Sequence, residues 1–125
     1  MHKRILVGFG AFGLLLAASQ VMAHHGWSGQ EGTRFQLTGK LHSSVDLSGP
    51  HATLQLEDES GRIWHITMSP PRRASRSGLT EETIPVGAEI SILGNRNSNP
   101  QSFEVKTVRV IYDGKNYDVY PNRIS

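Results

Sequence analysis

The chain has no cysteine. This excludes thiolate metal ligands, thiol nucleophiles and disulfide redox chemistry, and leaves stability to packing alone. Aromatic residues are scarce, at 7% of the chain, and 13 Lys+Arg stand almost level with 11 Asp+Glu. Such a composition predicts neither an aromatic platform for stacking bases nor a strong charge for nucleic acid or anionic lipid. Beyond the first residues, no apolar run is long enough to cross a bilayer. The motifs of common enzyme classes are also missing: there is no Gly-x-Ser-x-Gly elbow, no Walker loop and no His-Glu-x-x-His.

What is present starts with a division. His2, Lys3 and Arg4 open the chain, and residues 5–18 are apolar and uncharged. Val21-Met22-Ala23 then offers small or modest residues at the −3 and −1 positions of a cut after Ala23. Basic start, apolar centre and A-x-A-like site are the order of a secretory signal peptide. The reading is a leader over residues 1–23, export to the periplasm, and a mature chain beginning at His24. Loss of Lys3 and Arg4 makes basic and acidic residues equal in number, so the pI of about 9.2 is mostly a property of the leader. An uncleaved membrane anchor is the alternative.

Residues 24–34 carry glycines and no periodicity, and read as an extended arm. From Phe35 the pattern alternates with period two, with Phe35, Leu37, Gly39 and Leu41 against Gln36, Thr38, Lys40 and His42. A second strand is expected over residues 51–57 and a third over 62–68, joined by a hairpin at residues 58–61. In that hairpin Gln55 falls opposite His65. Pro70 and Pro71 end the third strand. Arg72 to Ile84 lacks alternation, and Thr80 is placed to cap a short helical turn with Glu81 and Glu82 at its positive end. Strands four and five follow over residues 88–94 and 103–112, and Tyr117 to Tyr120 is expected to close the sheet. Three strands, a helical connection and two or three more strands predict an all-β, five- to six-stranded OB-like barrel over residues 35–125. A β-sandwich has the same strand count.

A cut after Ala23 gives the candidate chemistry. It leaves His24 with a free α-amine beside its own imidazole, two nitrogen donors on one residue, titrating near about 7.7–8.0 and 6.5. Nitrogen donors of this kind suit Cu(II). A third imidazole would complete a histidine-brace copper site: His25 lies next door, and His51 follows Pro50 at a turn leading into the second strand. A cut one residue earlier would give only a terminal chelate. His42 and His65 sit on outer faces and are read as solvent-facing. Trp27 is read as a staple pinning the arm into the barrel's apolar surface, or as a shield over the metal. Arg72, Arg73 and Arg76 form a basic cluster after the two prolines. It is a candidate for a phosphate, a sulfate or an acidic partner surface, or else a solvated loop neutralised by Glu81 and Glu82.

His24-His25-Gly26-Trp27-Ser28, Phe35-Gln-Leu-Thr-Gly39, Pro50-His51-Ala52-Thr53-Leu54 and Ser69-Pro70-Pro71-Arg72 together resemble a family of small exported bacterial proteins of unknown function. The likeness runs over nearly the whole mature chain. It implies that His24, His25, Trp27, Pro50 and His51 are recurrent positions. This chain departs from the pattern at Gly49, where asparagine is usual, and at Ser69-Pro70-Pro71-Arg72-Arg73, where Ala-Pro-Pro-Ser-Arg is usual. Two functions are therefore expected. The first is periplasmic binding of copper or another late divalent metal through His24, His51 and His25, without turnover. The second is a metal-free module that binds a protein or envelope ligand through the barrel face or the Arg72–Arg76 segment. A copper-dependent oxidase is a third reading, and nucleic acid is not an expected partner.

Overall fold

The computed structural model describes residues 27–124; the leader expected over residues 1–23 and the His24–His25 pair lie outside the described residues. Among the described residues six strands form one antiparallel-rich sheet: β1 (Phe35–Asp46), β2 (Thr53–Glu57), β3 (Ile63–Thr67), β4 (Glu89–Arg96), β5 (Glu104–Tyr112) and β6 (Lys115–Asp118). A short helix, α1 (Pro71–Arg76), joins β3 to β4, and a 3-10 turn (Pro121–Arg123) follows β6. Strand order is β3-β2-β1-β4-β5-β6, and an additional parallel pairing of β3 with β5 closes the first five strands into a barrel. This is the OB-like arrangement expected from the strand order, with the short helix between strands three and four.

Closure depends on β1 serving two neighbours. Phe35 to Lys40 pair with β4, and Lys40 to Asp46 pair with β2. The strand changes register after Leu41 and again after Ser43, and such bulges add the bend and twist that a small barrel needs. Gly39 sits at the handover. A methyl group there would overlap the Glu57 carbonyl oxygen and stand 2.6 Å from Leu56 Cδ2, so only glycine allows β2 to approach this closely. The β2–β3 hairpin has the expected register, with Gln55 opposite His65. Its loop is tied by Asp58, whose carboxylate accepts from Ser60 N and Oγ, Arg62 N and Trp64 Nε1. These donors, Ser60 first and Trp64 next, lower the Asp58 pKa to about 2.

The alternating residues of the strands meet inside: Leu41, Leu54, Leu56, Ile66, Ile90, Ile92, Val105 and Val110 are buried. Each such side chain contributes roughly 1.5–3 kcal/mol on leaving water. Ala74, Leu79 and Ile84 from the β3–β4 connection join the same core.

The helix lies earlier in that connection than Thr80. Pro70 is its N-cap residue and Pro71 its first residue, a position where a missing N–H and a fixed φ suit helix initiation. Thr80 to Thr83 instead form a turn tied by hydroxyls, with Thr80 N donating to Thr83 Oγ1 at 2.8 Å. Arg72, Arg73 and Arg76 are therefore helical and not a loop, with Ala74 as the buried residue of α1. Glu81 does not neutralise them. Its carboxylate accepts from Leu47 N at 3.5 Å, and among the described residues neither Glu81 nor Glu82 pairs with an arginine of α1. The closing strand also falls earlier than Tyr117–Tyr120, because Asp113 (φ 51°) and Gly114 (φ 74°) make a tight hairpin turn directly after β5. No helix among the described residues is long and apolar enough to cross a membrane.

Candidate functional site: a cation–aromatic face

Residues 27–34 pair with the end of β4 and the residues that follow it. Glu31 N donates to Arg96 O at 2.8 Å, and Ser98 N donates to Gly29 O at 3.1 Å. Gln30 and Asn97 form an isolated bridge, which prolongs the β1–β4 ladder. Asn95 is buried under this segment: its Nδ2 donates to Glu31 O, and its Oδ1 accepts from Arg34, which also reaches Arg123 O.

Trp27 is the anchor of the docked segment. Its ring meets Tyr120 edge-on at 5.2 Å between centroids. The Arg123 guanidinium lies 4.2 Å and the Lys106 ammonium 4.6 Å from its centroid. Arg73 of α1 stands 5.8 Å from the Tyr120 centroid. The Trp27 ring thus lies among cations and one aromatic ring. Burial, then the neighbouring Arg123, hold the Lys106 ammonium below its usual range, with Glu104 opposing. Burial raises the Tyr120 phenol above its ordinary value, against the pull of Arg73 and Arg123.

Beside this face is a cleft of about 360 Å³ between α1 and the 3-10 turn, lined by Arg73, Arg76, Ser77, Asp118, Pro121 and Asn122. Asp118 is already engaged by Arg109, through Nε at 2.6 Å and Nη2 at 3.1 Å. Arg72 is exposed and outside that lining.

The candidate metal ligands are not brought together by what is described. Pro50 and His51 are exposed on the β1–β2 connection. His42 is exposed at the first β1 bulge, and His65 is exposed on β3 opposite Gln55. Among the described residues no group of three or more His, Asp and Glu side chains could hold a metal ion. A larger cleft of about 880 Å³ lies near the β2–β3 loop, with Lys40, Glu57, Glu59 and Glu89 among its lining. Asp58 also lines it, but its carboxylate is spent on the loop's own donors.

Reasoning from the sequence missed the cation–aromatic face. Composition averaged over the chain gave too few aromatics and no excess charge, whereas folding gathers Trp27, Arg73, Lys106, Tyr120 and Arg123 from four separate segments. No local pattern marks them.

Fold and face together define a small OB-type β-barrel carrying a preassembled cationic surface. No family model matches the chain, and no curated protein does. Among solved structures it is similar to the crystal structure of the S. pombe Stn1-ten1 complex, at 16% identity over 62% of this chain, with a TM-score of 0.47. The alignment spans 56% of that other chain, somewhat over half its length.

Proposed function

We propose that this protein is an exported binding module, without turnover, that takes an anionic ligand on the face built by α1, β5, the 3-10 turn and the docked Trp27. The supporting observation is the arrangement of Arg73, Lys106 and Arg123 around two aromatic rings. Rings that hold cations in place reduce the side-chain entropy lost when an anion binds, which is the benefit of preorganisation. Trp27 has Lys106 and Arg123 stacked against it. It therefore serves the cations better than it would serve a stacked base, and a sulfated or phosphorylated ligand suits the face better than single-stranded nucleic acid.

The test is titration with heparin as a sulfated polyanion, over a range of salt concentrations. Affinity should fall at least tenfold in a Lys106→Gln/Arg123→Gln double variant and should decrease steeply with salt. Oligothymidylate of equal charge should bind no better than heparin. Heparin binding that is indifferent to the double variant would overturn the reading.

A second reading is copper held by the mature N-terminus, with the His24 amine and ring as donors, His51 as a third nitrogen and His25 in support; nitrogen donors of this kind suit Cu(II). Cu(II) titration of protein beginning at His24, read by electron paramagnetic resonance, tests it with His24→Ala and His51→Ala. A one-to-one site weakened in both variants supports the copper reading; indifference to His51 refutes it.

A further inference from the structure

We infer that the cleft between α1 and the 3-10 turn is an oxyanion subsite, specific for a tetrahedral phosphate or sulfate group, with Arg73 and Arg76 as its ligands. The inference rests on the anion-binding reading of the adjoining face and names the chemical group which that face would recognise.

Three observations carry it. Arg73 and Arg76 are three residues apart on α1, so both project from the same side of the helix, and both line the cleft. Among the described residues no carboxylate pairs with either of them. The one acid in the lining, Asp118, is held in a two-point pair by Arg109 from β5. The cleft therefore keeps the charge of two guanidinium groups, and its wall is neutral. The third observation is the chemistry of the remaining lining. Ser77 Oγ turns back to donate to Ala74 O, while Asn122 on the opposite wall brings an amide donor. Planar guanidinium forks match the oxygens of phosphate and sulfate in two-point hydrogen bonds, which a single ammonium cannot do. Basic residues in a last helical turn also complement the helix dipole. With only six residues in α1 that effect is small, and it does not account for the opposing wall of Pro121 and Asn122.

The experiment is a nitrogen-15 NMR titration of the folded protein with inorganic phosphate and with sulfate, against acetate and chloride at matched ionic strength. Saturable shifts are expected at Arg73, Arg76, Ser77 and Asn122 for the two tetrahedral anions. Arg73→Gln and Arg76→Gln should each weaken binding about tenfold, while Arg72→Gln, outside the cleft, should stay within about twofold. Because all three arginines are exposed, unchanged melting temperatures will separate lost binding from lost folding. Equal shifts with acetate or chloride, or binding unaffected by Arg76→Gln, would overturn the inference. Glycerol 3-phosphate and phosphatidic acid vesicles then distinguish a free ligand from a membrane-borne one, and Arg76-dependent binding of either supports the subsite. If heparin still binds through Lys106 and Arg123 while phosphate gives no saturable shift, the subsite fails and the face remains. If phosphate saturates the cleft while heparin ignores the face, the reverse holds.

Discussion

Replacing Trp27 with alanine should release the N-terminal segment while leaving the barrel closed. The ring makes one edge-on aromatic contact with Tyr120 and two cation–π contacts, with Lys106 and Arg123. An aromatic pair is worth about 0.5–1.5 kcal/mol, and each exposed cation–π contact about 0.5–1 kcal/mol. Their combined loss is about 2–3 kcal/mol, which multiplies the undocked population by roughly 30 to 150. Hydrogen exchange reads that population directly. The amides of Gln30, bonded to Trp27 O, and Ser98, bonded to Gly29 O, should exchange faster by this factor. The amide of Met68, bonded to Ala52 O beside the core strands, should not change. Uniform acceleration of all three would mean that Trp27 supports the whole fold and not a docked segment. No acceleration anywhere would mean that the cation–aromatic contacts carry no net energy, and the preassembled face would lose its basis.

Three further outcomes are expected. Gly39→Ala should cost about 2–3 kcal/mol, the upper part of the usual overpacking range, because backbone of β2 blocks the methyl group; thermal melting should show a drop of roughly 10–20 °C. Asp58 has a folded pKa lowered to about 2 from an ordinary 3.8, so it contributes stability that is complete above pH 4 and is lost as pH falls toward 2. Asp58→Asn should flatten the melting temperature between those pH values and lower it at neutral pH. Asp118→Asn removes the carboxylate from the cleft while leaving Arg109 charged, and phosphate should bind more tightly in the NMR titration; weaker binding would mean that Asp118 positions the site.

Elements that rest on short-range pattern were legible in the sequence. Alternation located the strands, and the loop at Asp58–Gly61 fixed the hairpin so that Gln55 faces His65. The helix was misplaced because two local signals competed. Thr80 followed by two glutamates reads as a cap, but Pro70-Pro71 already sets φ for helix entry, and Ala74 gives the following turn a core contact. Thr80 and Thr83 then satisfy each other, with their hydroxyls 2.8 Å apart. The face stayed hidden for a different reason. Its five residues are separated by up to 96 positions, from Trp27 to Arg123, and a near-zero net charge conceals a surface that is locally positive. Net charge constrains the average field of a chain and says little about how charge is spread over its surface, where Asp118, for example, is spent on Arg109.

The salt dependence of polyanion binding tests the face through its charges. The Debye length falls from about 30 Å at 10 mM salt to about 8 Å at physiological salt. The Lys106→Gln/Arg123→Gln double variant should therefore lose most affinity for heparin at low salt, as calorimetric titration would show. Removing two cations cannot weaken capture of Cu(II) by charge alone. A double variant that lost both heparin and copper would show that the docked Trp27 segment had been disturbed, because both side chains contact that ring.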